Sequence, residues 1–303
     1  MATETSLFEG QVLIVTGAGR GLGRAYAIEA ARRGARLIVN DPGSAPDGRG
    51  VSNAVADAVV DEIRAFGGDA IASYDSVAEP SSAARIVDMA MDAFGTVDAV
   101  INNAGNAYSG AFEASPLDEM RNVIETHLIG TIAVTQAAWP IMKAKGYGRV
   151  VMTVSTAGLF GIEQLAGYAA AKGGIFGLMK CLAREGEPFG IRVNAISPGA
   201  QTRLGGSMFQ PGQVSRRWRP ELVAPPVLYL ASEQCEVTGY ILSAMAGRYA
   251  RAEIVENQGA KLDPRHDISY EDVVAQLPKI LDLTGANALT HGFAEQIVGS
   301  ATR

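Results

Sequence analysis

Short apolar runs alternate along this chain with longer stretches whose apolar positions recur every three or four residues. Gln11–Thr16 (QVLIVT), Arg36–Asn40 (RLIVN), Ala70–Tyr74, Val97–Ile101, Val150–Val154 and Arg192–Ile196 are the short runs, and their β-branched, apolar character predicts strands. Between them, Leu22–Arg33, residues 51–66 and a stretch from Ser82 read as helices; in the last, Ala83, Val87, Ala90, Met91 and Phe94 share one face. Further helices are predicted to begin near Pro116 and near Tyr168. Strands apolar along their whole length need cover on both faces, and the alternation with helices supplies it. The pattern predicts an α/β protein: a single doubly wound Rossmann domain with a parallel sheet over residues 1–250. A C-terminal helical extension, residues 251–303, is expected to pack on it and not to form an independent domain.

Local signals sharpen some boundaries. Ser115 is expected to cap a helix with Pro116 at its first position, and Asp118 and Glu119 suit the positive end of its dipole. Pro140 should kink or end that helix. Ser269 followed by Asp272 resembles a capping box, and Val273, Val274, Leu277, Ile280 and Leu281 continue at helical spacing, with Pro278 expected to distort or split the element. Residues 202–220 mix Gly, Pro and Gln with Arg216, Arg217, Trp218 and Arg219. They read as a mobile substrate-side loop in which Met208, Phe209 and Trp218 line a pocket or anchor the loop, and the arginines meet phosphates or solvent.

Composition narrows the function classes. With 48% hydrophobic and 19% charged residues among 303, the chain is too apolar for disorder. A formal charge of −6 argues against nucleic acid and anionic membranes as partners, and no apolar stretch is long enough to span a bilayer. Cys181 and Cys235, with His127, His266 and His291, lie scattered, so neither a disulfide framework nor a metal site is expected. A cytoplasmic, reducing compartment and a small-molecule substrate are the expectation.

The glycines are concentrated where chemistry would use them. Thr16-Gly17-Ala18-Gly19-Arg20-Gly21-Leu22-Gly23 joins the first strand to the first helix, and such a loop lets a pyrophosphate approach backbone N–H groups at a helix N-terminus. Asp41 ends the second strand; it would accept bonds from adenosine ribose hydroxyls and repel a 2′-phosphate, favouring NAD over NADP. Arg20, beside the second glycine of the loop, is a cation that pulls the other way.

Tyr168 and Lys172 stand four apart in a predicted helix and so project from one face, and Ser155 closes the fifth predicted strand. A phenol with pKa ~10 is a poor base near neutrality, and a neighbouring ammonium brings it toward the working range. Alone, such a pair is usually a solvated helix face; beside a phosphate cradle it becomes acid–base machinery.

The loop Thr16–Gly23, Asn102-Asn103-Ala104-Gly105, Ser155, Tyr168-Ala169-Ala170-Ala171-Lys172 and Ser197-Pro198-Gly199 together resemble, in order and spacing, the motifs of the short-chain dehydrogenases/reductases over about residues 8–245. Val39-Asn40-Asp41, Tyr74-Asp75-Ser76-Val77, Thr126-His127-Leu128, Ala137-Ala138-Trp139 and Lys145-Gly146-Tyr147-Gly148-Arg149 resemble the (3R)-hydroxyacyl-CoA dehydrogenase branch in particular.

The resemblance implies that Tyr168 is the general acid/base, that Lys172 holds the nicotinamide ribose and lowers the Tyr168 pKa, and that Ser155 bonds the substrate oxygen. It implies a cofactor held by Gly17, Arg20, Gly21, Leu22 and Gly23 at the pyrophosphate, Asp41 at the adenosine ribose, and Asp75 and Ser76 at the adenine. Asn103, Ala104 and Gly105 would line its centre, and Pro198 and Gly199 would border the nicotinamide. The activity implied is NAD-dependent interconversion of a secondary alcohol and a ketone, best guess a 3-hydroxyacyl-CoA/3-oxoacyl-CoA pair, in a homodimer or homotetramer. A hydroxysteroid dehydrogenase is the alternative, and a dinucleotide-binding sensor or scaffold the non-enzymatic one. Two positions depart from the family: His127 stands where most members carry Asn, as a relay variant or a packed helix histidine, and Thr202 falls one residue early.

Overall fold

The computed structural model describes residues 6–204 and 216–288, and the chain forms two compact units that meet in sequence at Arg251 and Ala252. Met208, Phe209 and His291 lie outside the described residues. In the first unit the strands are β1 (Val12–Thr16), β2 (Arg36–Asn40), β3 (Asp69–Ser73), β4 (Ala99–Asn102), β5 (Gly148–Thr153), β6 (Ile191–Gly199), β7 (Ile241–Met245) and β8 (Arg248–Ala252). They form one sheet in the order β3-β2-β1-β4-β5-β6-β7-β8. Every pairing from β3 through β7 is parallel. Strand order reverses between β1 and β4, the point where such sheets open a crevice at their C-terminal ends.

The helices are α1 (Gly21–Arg32), α2 (Ala54–Ala65), α3 (Pro80–Phe94), α4 (Leu117–Ile124), α5 (Gly130–Lys145), α6 (Thr156–Phe160), α7 (Ala166–Gly186) and α8 (Ala224–Ala231). Leu13, Val15, Leu37 and Val39 pack with Tyr26, Ala27, Ala30, Val59, Ile63, Val227 and Leu228 in one buried cluster. Full burial of a large aliphatic side chain stabilises by roughly 1.5–3 kcal/mol, so this layer fixes the sheet that carries the crevice.

The pole opposite the crevice is stitched by charge. Buried Asp98 accepts the Val12 N–H at 2.8 Å and pairs with Lys145. Buried Arg149 donates to the Ser232 carbonyl at 2.9 Å and the Gly190 carbonyl at 3.2 Å, with its guanidinium 4.4 Å from the Tyr147 ring centroid. The Lys145–Arg149 motif thus serves the scaffold.

Several expected details are corrected. Ser115 does not cap α4: its hydroxyl donates to the Ala111 carbonyl at 2.8 Å, and Pro116 holds the cap position. Pro140 neither ends nor breaks α5, which runs on to Lys145, because the helix is held by packing against α3, β4 and β5. The departure from α geometry comes earlier, in a π turn at Glu125–Ile129, whose freed His127 carbonyl is taken by the Thr131 hydroxyl at 2.6 Å. β7 and β8 were not expected; they join through Ala246 and Gly247, both at positive φ.

In the second unit, α9 (Tyr270–Leu281) has the expected capping box at Ser269 and Asp272 and passes through Pro278 unsplit. Asn257 donates to the Ile280 and Asp282 carbonyls at 2.9 and 2.5 Å, satisfying its C-terminal end. Val255–Glu256 and Asn287–Ala288 pair as a short ribbon.

Candidate active site

Each strand from β1 to β6 delivers a site residue at its C-terminal end. At β1 the chain turns through Gly17 and Gly21, at φ +63° and +54°, a region open to glycine without strain. A Cβ on Gly17 would press on the Ala104 backbone at 2.8 Å, and one on Gly23 would collide with the Gly17 carbonyl. Thr16 holds the loop to β4: its hydroxyl accepts the N–H groups of Asn103 (3.0 Å) and Ala104 (3.1 Å). Asn103 Nδ2 returns bonds to the Thr16 and Gly17 carbonyls at 2.9 and 3.1 Å. α1 then starts at Arg20 with no side-chain cap, leaving its first N–H groups and positive dipole end available to an anion. Leu22 packs against the core beneath. These residues fit a pyrophosphate.

Asp41, half-buried, accepts the Gly19 N–H on one oxygen (2.9 Å) and the Gly43 N–H on the other (2.7 Å). Each oxygen retains a second lone pair for a ribose hydroxyl. Asp75 lies beyond β3 with its carboxylate bound to Arg85 at 2.5 Å, and the Ser76 hydroxyl accepts the Ala78 N–H at 3.3 Å. Pro198 and Gly199 end β6 opposite Ala244 and Met245, and Met245 leaves no room for a Cβ on Gly199. Thr202 lies against the cradle, its methyl 3.3 Å from where a Gly21 Cβ would stand.

At β5, Ser155 accepts the Ala157 N–H at 3.2 Å and its side chain lies beside the Tyr168 hydroxyl. α6 lies so close to α7 that a Cβ on Gly158 would meet the Lys172 backbone at 2.7 Å. Lys172, 2% exposed, donates to the Thr153 carbonyl at 2.6 Å, with Nζ 5.6 Å from the Tyr168 ring centroid. Burial pulls Lys172 down to about 7. Burial also pushes the Tyr168 phenol up, and the neighbouring Ser155 side chain draws it partly back. Burial thus opposes phenolate and ammonium alike.

His127, not counted among the expected site residues, belongs to this cluster. Its buried ring meets Tyr168 edge-on, centroids 5.2 Å apart, and would block a Cβ on Gly105. Nε2 lies 2.8 Å from the Asn106 carbonyl and 3.2 Å from the Asn106 N–H, while buried Nδ1 has no hydrogen-bond partner among the described residues. Burial, then the charge of Lys172, pulls its pKa down to about 3. The shorter contact places the single proton on Nε2 and leaves Nδ1 a bare acceptor. Its position four residues before Thr131 was visible in the sequence, but the π turn that aims it was not.

Comparison with known proteins agrees with this geometry. The family model for short chain dehydrogenases matches residues 11–206. A short-chain type dehydrogenase/reductase of Mycobacterium tuberculosis is 43% identical over 91% of this chain and 96% of its own length. The structure of full-length peroxisomal multifunctional enzyme type 2 from Drosophila melanogaster superposes with TM-score 0.80 at 33% identity, covering 97% of this chain but 49% of that one. A 7α-hydroxysteroid dehydrogenase complexed with NADH and 7-oxo glycochenodeoxycholic acid superposes with TM-score 0.72 at 28% identity, over 82% of this chain and 97% of that one. Cradle, Ser–Tyr–Lys cluster and sheet order thus occur together in a chain that belongs to the short-chain dehydrogenase/reductase family of oxidoreductases.

Proposed function

We propose that this chain is an NAD-dependent dehydrogenase interconverting a secondary alcohol and a ketone, with a 3-hydroxyacyl-CoA/3-oxoacyl-CoA pair as substrate. One observation carries the reaction: on α7, Tyr168 with buried Lys172 over its ring stands beside Ser155, which follows β5, and Tyr168 meets His127, which packs on Gly105 beyond β4, at the same C-terminal edge of the sheet as the glycine cradle after β1. The dinucleotide, when bound, takes or gives the hydride. Gly17, Arg20, Gly21, Leu22 and Gly23 would hold its pyrophosphate, Asp41 its adenosine ribose, Asn103 to Gly105 its centre, and Pro198 and Gly199 would border its nicotinamide. Ser76 would reach the adenine; Asp75, committed to Arg85, is the least suited of the set.

In oxidation Ser155 bonds the substrate oxygen and Tyr168 removes its proton; in reduction Tyr168 returns it. Lys172 offsets the cost of phenolate in a buried site. The bidentate use of Asp41 by backbone N–H groups fixes a carboxylate beside the ribose position, which supports NAD over NADP.

Likeness to multifunctional enzyme type 2 supports the acyl-CoA, and the bile-acid ligand of the hydroxysteroid relative supports a steroid as second reading. Half-buried Ile132, Ala133, Ala137 and Phe176 on α5 and α7 support a homodimer or homotetramer, which light scattering checks. The compartment, expected to be the cytoplasm, is to be weighed by localisation against the peroxisomal name of the fly relative. No helix among the described residues is long and apolar enough to cross a membrane. An absorbance screen of 3-hydroxyacyl-CoAs of graded length against hydroxysteroids, with NAD and NADP in parallel, tests the whole reading; silence with every acyl-CoA removes the substrate.

A further inference from the structure

The chain leaves β2 at Asp41 and enters α2 only at Ala54. In between, Pro42–Ser52 forms a compact loop closed at its neck by Ser52 N–H to the Pro42 carbonyl (2.8 Å). It is braced within by Ala45 N–H to the Arg49 carbonyl (2.8 Å) and Gly48 N–H to the Ala45 carbonyl (2.9 Å). Gly43, Gly48 and Gly50 all have positive φ. Such a loop, compact and with its ends close together, is of the Ω type.

Where it goes follows from topology. It starts beside β2 and its tip touches residues beyond β4, and β1 lies between those strands. It therefore crosses the end of β1, where the cradle lies. Three links hold the tip: Ala107 N–H to the Pro46 carbonyl (2.9 Å), Asn122 Nδ2 to the Asp47 carbonyl (2.9 Å) and Arg49 to Glu119 (2.6 Å). Nearer the neck, the Ser44 carbonyl accepts from Arg20 of the cradle (3.3 Å) and from Arg203 (2.9 Å). Residues 48–53 are exposed, so polar links and not apolar burial keep the loop down. The Arg49 side chain is 65% exposed, which makes its ion pair sensitive to salt.

We propose that Pro42–Ser52 is a hinged cover over the dinucleotide crevice, with Arg49, Glu119 and Asn122 as positioning residues that set how long the coenzyme stays. The inference rests on the reading of that crevice as a dinucleotide site. Coenzyme leaves when the tip lifts from α4, and lifting breaks the three tip links while the neck and internal bonds persist.

Stopped-flow displacement of NADH from the full-length protein tests it. Glu119→Gln is expected to speed release about two- to five-fold and Glu119→Gln/Asn122→Ala about ten-fold, from the loss of an exposed ion pair and one hydrogen bond. Added salt should speed release from the wild type more than from Glu119→Gln, and single-turnover hydride transfer should not change. Hydrogen exchange in residues 43–50 without coenzyme should be faster in the double variant. Unchanged release rates with wild-type NADH binding overturn the cover alone, as does unchanged exchange; a wild-type protein that binds neither NADH nor NADPH overturns the coenzyme reading and the cover with it.

Discussion

Lys172 is held at a thermodynamic cost. An unfolded lysine keeps its proton to about pH 10.5, whereas this one releases it at about 7. Between those values the unfolded chain binds more protons, so stability rises with pH, and below 7 the whole penalty is present. Lys172→Met is expected to abolish turnover yet raise Tm by about 5 °C or more at pH 6, a gap that narrows toward pH 10 in calorimetry. Tyr168→Phe should lower kcat at least about 100-fold while NADH binding, followed by fluorescence, survives. For His127, 15N NMR should show a neutral ring protonated at Nε2 that does not titrate between about pH 5 and 9, as burial requires. At this scale spacing made Tyr168, Lys172 and Ser155 legible. The Thr153 carbonyl that receives Lys172 was not, because every residue carries one, and His127 was ambiguous because a histidine on an apolar helix face packs or acts depending on a turn geometry the sequence does not display.

Among elements, the central strands were legible because they are buried on both faces and so read as unbroken apolar runs, as in Val12–Thr16. β8 was not: Arg248, Tyr249, Arg251 and their neighbours are exposed or half-buried, so no apolar run marks them. The opposite failure occurred at Pro140, where a local breaker is overridden by packing on the sheet. The end of α9 shows local chemistry prevailing instead, since Ser269 and Asp272 cap each other's backbone as their spacing implies. Ser269→Ala is expected to cost about 1 kcal/mol, confined to α9 and visible as faster hydrogen exchange in residues 270–273 with the rest of the chain unchanged.

For the molecule as a whole, strand order puts Asp41, Asn103 and Ser155 along one edge, so the residues proposed for cofactor choice and for acid–base chemistry share one rim. Asp41→Asn keeps an acceptor for the loop N–H groups but removes the charge, and with Arg20 and Arg203 converging on Ser44 it should lower the NAD/NADP ratio of kcat/KM about 10-fold or more in parallel assays. The opposite rim carries Asp98, Lys145 and Arg149, knitted into strand starts and the residue after α8. That division of labour has an engineering corollary. Because the anchoring network sits a full strand length from the crevice rim, substitutions at that rim such as Asp41→Asn should change coenzyme preference while the melting behaviour stays that of the parent.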